Sequence, residues 1–388
     1  MVYYFHTTYA RDDLKYLISI RPDYKQYNGE KVRENDTLII AVYLHLTALG
    51  EFINLMDCYT IDNKRYRSVY KDRFRFIDLN IDDEGPNIKF FIYNPIVKFL
   101  LERKNSKILL YNSWETRDLY RCCPVILHYC QYKNIPPHKL LLSMTDHQHM
   151  FKRYPPPRVI SYDWQYIHAK KNFSRDKIVS RDVPKPKHLI CFNSRCNDER
   201  LAAVAYLYSQ HREKCHLSLI NNKRSAPILG PMLHLVKNFV SIDKFNAFKQ
   251  RIPLSLDEST KSLTTYIEEA YIMVIFETNI VRFSCQQISE KTYKPILAGI
   301  PFILWGHQGG ILAHLRKLGF KTFSPFIDET YDDKNISYTE RYMRLINELN
   351  RICSLDTTEI ETLYKQCLPM VKHNFTILES GTHIPPLL

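Results

Sequence analysis

The densest concentration of residues able to do chemistry runs from Phe276 to Phe302. An apolar stretch rich in β-branched residues, 271–276, reads as a buried strand with Glu277 at its carboxyl end. Twelve residues on, Ser289 has the character of an N-cap, with Glu290 and Lys291 in the first turn of the helix that follows. A helix N-terminus presents free N–H groups and about half a positive charge, which suits a phosphate. Lys291 adds a full charge there, and the Glu290 carboxylate is able to accept hydrogen bonds from a ribose diol. The pair has the chemistry a nucleoside diphosphate requires, one group for the sugar hydroxyls and one for the phosphates. Taken alone, Ser-Glu-Lys also reads as a plain helix cap with a solvated lysine. Its place just after a strand ending in a carboxylate favours the ligand-binding reading.

Other constellations are weaker. Glu115 follows a predicted strand at 108–111, and Asp146 follows one at 140–144 in Thr145-Asp146-His147-Gln148-His149; Asp163 ends a third. Two histidines two residues apart beside an aspartate lack a third placed metal ligand. Ten cysteines are present, none in a CxxC pair, and Cys122, Cys123, Cys130 with His128 fit no zinc-module spacing. They read as buried thiols of a reducing compartment, and no metal is expected.

Short apolar runs alternate with amphipathic stretches along the whole chain. Strands are predicted at 37–43, 89–93, 108–111, 140–144, 159–162, 188–192, 217–220, 271–277, 301–305 and 321–323. Helices are predicted at 94–104, 199–210, 289–298, 310–318, 338–352 and 358–374. This alternation predicts parallel sheets and an α/β class. A polar linker at 174–187, closed by Pro184 and Pro186, divides the chain into halves. Two domains of that size predict a ligand cleft between them, with the chemistry in loops beyond the strands' carboxyl ends.

The segment Phe276-Glu277-Thr278, then Ser289-Glu290-Lys291-Thr292-Tyr293-Lys294, then Ala298-Gly299-Ile300-Pro301 resembles the donor-binding region of GT-B-type glycosyltransferases. It is most similar to the α-1,3-fucosyltransferase type and to glycosyltransferase-like proteins of viruses and bacteriophages. The continuation from Gly306 through Leu315-Arg316-Lys317-Leu318-Gly319-Phe320 to Asp332 resembles the viral group. The likeness covers about 185–350 and is specific in 271–332; the first half is matched in architecture alone. It departs from the fucosyltransferase pattern at Thr278-Asn279 and in the extra Arg282 and Phe283.

The resemblance implies two Rossmann-like domains facing a central cleft: an acceptor-binding domain at 1–178 and a nucleotide-sugar-binding domain at 185–388, with the last helix packing back on the first domain. It implies that Glu290 binds the ribose and Lys291 the diphosphate, with Arg195 a second phosphate ligand and Arg200 a lesser one. Asn193, Glu277, Thr278, Ser289 and Lys294 complete the donor-binding set. Inverting transfer needs a general base for the acceptor hydroxyl, and it is expected from the first domain: Glu115 first, then Asp146. The nucleotide-diphosphate sugar is then a substrate, with no permanently bound cofactor and no metal.

The charge of the chain bears on the acceptor. The net charge is +13, and residues 101–250 hold 26 basic against 11 acidic residues, while 1–100 hold 14 of each and 251–388 hold 14 against 16. A concentrated basic zone predicts a polyanionic partner, here DNA with a modified base as the acceptor. A glycan- or protein-directed enzyme of the same fold is the alternative, and a nucleic-acid-binding protein without turnover is a third. A ribose ligand has no use in the last. No apolar run reaches the ~18–20 residues of a membrane span, and Met1 to Tyr9 carry no secretory signal, so a cytoplasmic protein with no membrane partner is expected.

Overall fold

The computed structural model describes residues 3–7, 24–26, 37–43, 60–61, 64–65, 105–111, 136–144, 158–161, 183–194, 196–220, 237–255, 263–277 and 288–381. The chain is mixed α/β and divides into two units, 1–168 with 386–388, and 169–385.

The first unit holds a parallel sheet of six strands: β1 (Tyr3–Thr7), β2 (Tyr24–Gln26), β3 (Thr37–Tyr43), β6 (Ser106–Tyr111), β7 (Leu140–Met144) and β8 (Arg158–Ser161). A small antiparallel ribbon, β4 (Thr60–Ile61) with β5 (Lys64–Arg65), stands apart from it. The sheet order is β2-β1-β3-β6-β7-β8. The chain starts inside the sheet, runs outward to β2, then reverses across β1 to β3. That reversal is a topological switch point between β1 and β3.

The second unit repeats the scheme on four parallel strands: β9 (Lys187–Asn193), β10 (Cys215–Leu219), β11 (Ala270–Phe276) and β12 (Phe302–Trp305), in the order β10-β9-β11-β12. Every residue of β11 and β12 is buried, as continuous apolar strands covered on both faces must be. After β9 the chain passes through helix α1 (Asp198–His211) to β10 on one side. Helix α2 (Ile242–Lys249) and α3 (Leu263–Glu268) lead to β11 on the other side. Helix α4 (Glu290–Ala298) crosses to β12, and α5 (Ile311–Lys317), α6 (Tyr338–Ser354) and α7 (Thr357–Ser380) complete the unit. Contacts sort the helices into two layers: α1 packs with α2 and α6, and α4 packs with α7. The switch point lies between β9 and β11, whose carboxyl ends are Asn193 and Phe276.

Two local expectations change. Residues 321–323 form no strand. The Lys321 N–H donates to Asn374 Oδ1 at 2.7 Å and its carbonyl accepts from Asn374 Nδ2 at 2.8 Å, while the Phe323 N–H goes to Glu329 Oε1 at 2.6 Å. Side chains satisfy this backbone where a sheet neighbour would have. The predicted helix at 358–374 runs on to Ser380, closed by a left-handed Gly381, the first glycine the helix meets. The predicted elements at 89–93 and 94–104 lie outside the described residues.

Candidate functional site

The site is built around the end of β11. Pairing to β12 continues one residue past the strand, with the Glu277 N–H donating to the Trp305 carbonyl at 3.0 Å. This fixes the backbone of Glu277, which is 3 % exposed. Its carboxylate reaches across to the first turn of α4. Oε1 accepts the Ser289 N–H at 3.0 Å and the Thr292 hydroxyl; Oε2 accepts the Ser289 hydroxyl at 2.5 Å. Three donors on one buried carboxylate make a rigid brace, because a bonded buried charge is far cheaper than a lone one. Ser289 in turn caps α4, accepting the Lys291 N–H at 3.3 Å. The far end of α4 closes on Gly299, φ 66°, in the left-handed region that glycine enters without strain. Glu277 therefore holds the helix N-terminus in place, a positioning role.

On that helix start, Lys291 Nζ lies 3.1 Å from Glu290 Oε1 and 3.4 Å from Ser289 Oγ. Both members of the ion pair are about a quarter exposed, 28 % and 26 %. Burial pulls the Glu290 carboxyl up, but the adjacent Lys291, its hydrogen bond and the Lys294 charge outweigh it and hold the group below the usual carboxylate range. Burial pushes Lys294 down, opposed by Glu290 and assisted by Lys291. The result is one carboxylate and two ammonium groups on the first turn and a half of a helix whose N–H groups point the same way.

From the other layer, Arg200 of α1 crosses the end of β11: its Nη2 donates to the Phe276 carbonyl at 2.9 Å and to the Glu277 carbonyl at 3.2 Å. It is buried and ties α1 to the end of β11. Asn193, at the end of β9, is also buried; its Nδ2 donates to Cys191 Sγ at 3.3 Å and its backbone N–H to Ser218 Oγ at 3.3 Å. The structure thus brings Asn193, Glu277, Ser289, Glu290, Lys291 and Lys294 onto the carboxyl edge of one sheet and its next helix. Arg195, Thr278, Glu115, Asp146 and Asp163 lie outside the described residues, as do His147, His149 and the Cys122–Cys123–Cys130 group.

A second polar cluster at the same edge escaped the sequence reading. Beyond β12 the chain turns through Gly306-His307-Gln308-Gly309-Gly310 into α5. Arg341 of α6, 2 % exposed, clamps this turn: Nη2 donates to the Gly306 carbonyl at 2.6 Å, Nη1 to the His307 carbonyl at 2.8 Å and Nε to the Tyr331 carbonyl at 2.9 Å. Its guanidinium lies over the Trp305 ring, 4.6 Å from the centroid. His307 Nδ1 meets Glu199 Oε1 at 2.7 Å, and the Tyr338 hydroxyl donates to the same oxygen at 2.7 Å. Glu199 and His307 stand 108 residues apart in sequence, so no local pattern announces them; the glycines around His307, directly after an apolar strand, are the one available signal.

Among the described residues no group of three or more His, Cys, Asp or Glu is arranged to hold a metal ion, and no helix is long and apolar enough to cross a membrane.

No known family matches the chain, and neither does any curated protein. Among solved structures, one described as "OtsA apo structure" is 10% identical over 90% of this chain and 72% of its own, with a TM-score of 0.37. A second, "Trehalose-6-phosphate synthase. OtsA", gives the same identity, coverage and TM-score. Similarity this weak decides nothing about the activity of this chain.

Proposed function

We propose that the chain is a glycosyltransferase that takes its sugar from a nucleotide-diphosphate donor, held by the second unit at the N-terminus of α4. The observation that carries the reading is the brace from Glu277 to Ser289 and Thr292. It fixes a helix N-terminus beside a switch point, with Glu290 and Lys291 next to each other and partly open to solvent. In the free protein the two neutralise each other. On donor binding Lys291 exchanges a carboxylate for the diphosphate, and Glu290 is released to the ribose diol, so the pair keeps both groups ready at little reorganisation cost. Lys294 supplies further positive charge, Ser289 and Glu277 hold the helix, and Asn193, Arg195 and Thr278 complete the donor side.

In this reading the acceptor-binding domain precedes the segment 174–187 and the donor-binding domain follows it. The first domain supplies the general base of an inverting transfer, Glu115 in preference to Asp146. Basic residues and the helix end neutralise the leaving diphosphate, so the donor is a substrate and no metal or permanent cofactor takes part. The test is a thermal-shift screen of nucleotide sugars, followed by donor hydrolysis by wild type and Lys291→Ala. Stabilisation by one nucleotide class, lost in the variant, supports the reading; no stabilisation by any of them contradicts it.

A second observation bears on the acceptor. The excess of 26 basic over 11 acidic residues at 101–250 is far more than one diphosphate requires. It favours a polyanionic acceptor, DNA with a modified base flipped out or unpaired, over a glycan or a protein.

A further inference from the structure

His307 is held by a buried carboxylate. Glu199, whose side chain is 5 % exposed, receives its Nδ1 at 2.7 Å, while the imidazole itself is 31 % exposed. A carboxylate only accepts, so Nδ1 carries the proton and Nε2 faces away from Glu199. Nε2 has no hydrogen-bond partner among the described residues. The Tyr338 hydroxyl shares the Glu199 oxygen; burial first, then the Glu199 charge, push the phenol up, so it stays a donor. The Tyr338 ring also packs on the imidazole, 4.9 Å between centroids. The backbone is fixed separately, by Arg341 on the carbonyls of Gly306 and His307. Ring, tautomer and backbone are therefore all set before any ligand arrives. Such investment in one imidazole that is a third exposed exceeds what a cap or a surface contact needs; a carboxylate-oriented imidazole is the arrangement that proton-handling sites use.

The dyad lies at the carboxyl edge of the sheet that α4 follows. Trp305 of β12 pairs with Phe276 of β11, so His307 follows a strand end adjacent to the one from which Glu277 braces α4. It belongs to the same carboxyl edge and the same unit as Lys291. We propose that His307 is a further donor-binding residue, whose Nε2–H donates a hydrogen bond to the donor's diphosphate, and that Glu199 is its positioning residue. This inference rests on the donor-site reading above. An imidazolium between Glu199 and a phosphate offers a donor to each. Among the described residues, the charged and titratable groups against His307 are Glu199 on α1 and Tyr338 on α6 at the ring and Arg341 on α6 at its carbonyl, with Asp332 behind Arg341, 3.9 Å away.

The test titrates pyrophosphate into the full chain by calorimetry at pH 6 and pH 8, at one salt concentration. The proteins compared are wild type, His307→Asn, Glu199→Gln and Lys291→Ala. The titration of the probe itself is common to all four and cancels when their pH ratios are compared. His307→Asn should bind about tenfold more weakly at pH 6, the loss expected for one charge-assisted hydrogen bond, and should prefer pH 6 less than wild type does. Glu199→Gln should lose the same part of the pH preference, a readout that a merely structural role would leave alone. Lys291→Ala should weaken binding at both pH values and keep the wild-type ratio. Wild-type affinity and ratio in His307→Asn beside weakened Lys291→Ala would overturn the inference and leave the donor site standing. Failure of wild type to bind pyrophosphate would sink both. If His307→Asn does not fold, carbethoxylation of wild-type His307 by diethyl pyrocarbonate, mapped by mass spectrometry, takes its place: protection by pyrophosphate supports the inference, and unchanged modification at saturating pyrophosphate overturns it.

Discussion

Lys291 and Glu290 meet at 3.1 Å on the helix start, yet the pair contributes little to stability. Partly exposed pairs are worth ~0–1 kcal/mol once solvent screening and side-chain entropy are counted. Lys291→Ala should accordingly leave the unfolding temperature almost unchanged while reducing donor affinity roughly tenfold to a hundredfold, the ~1.5–3 kcal/mol typical of a charge-assisted hydrogen bond. Glu277→Ala should lower stability as well as donor affinity, because the helix start loses its brace. It strips the Ser289 N–H and the hydroxyls of Ser289 and Thr292 of their acceptor, so it should cost a few kcal/mol of stability, on the order of 1–3 per stranded group. Chemical denaturation of the two variants separates these outcomes; a destabilised Lys291→Ala with a silent Glu277→Ala would reverse the roles assigned here. The Ser-Glu-Lys turn was legible in the sequence because capping and charge are local. The work of Glu277 was not, since its partners lie 12 and 15 residues away in sequence.

Among the elements, the turn from β12 into α5 is tightly determined. Gly309 has φ +74°, and a Cβ there would lie 2.8 Å from Arg341 Cζ and 2.9 Å from the Asp332 carbonyl oxygen. Gly309→Ala should therefore be destabilising through both backbone strain and the displaced guanidinium, and should also lower donor affinity if His307 belongs to the site. Asp332 sits beneath the same turn. Burial lifts its carboxyl to about 6, against the Leu312 N–H and the Arg341 charge, which both pull it down. The folded protein holds this proton more tightly than the unfolded chain, whose value is 3.8. Stability from this group therefore grows as pH falls from about 6 towards 4 and is absent above. Compared with Asp332→Asn, wild type should gain on the order of 3 kcal/mol across that window; a difference independent of pH would contradict the assignment. Parallel strands of the second unit were readable as apolar runs, and β3 and β7 were read to the residue. The strands β1 and β2 were missed because Tyr3–Thr7 and Tyr24–Gln26 are short and polar enough to lack a clear period. The false strand at 321–323 failed for the opposite reason: its composition suits a sheet, but Asn374, 53 residues away, takes its hydrogen bonds.

The molecule as a whole contains two parallel sheets, each with its own switch point, and a positive surplus confined to 101–250. The alternation of strands and helices made the α/β class legible, whereas strand order depends on crossovers between distant segments that no local pattern encodes. If the surplus serves a DNA acceptor, affinity for duplex DNA should fall steeply with salt, with a logarithmic slope of about −0.9 per phosphate neutralised; a slope near zero favours a glycan or protein acceptor. If Glu115 is the base, Glu115→Gln should bind donor normally and lose ~10²–10⁴-fold in transfer, while full activity would move the role to Asp146. All of this depends on a donor being bound in the second unit. The most direct measurement is calorimetric titration of the full chain and of Lys291→Ala with UDP-, GDP-, ADP- and CDP-sugars. One nucleotide class should bind wild type and bind the equally folded variant roughly tenfold to a hundredfold more weakly. Binding of none of them to wild type, or equal binding to both proteins, would contradict a donor site at the N-terminus of α4.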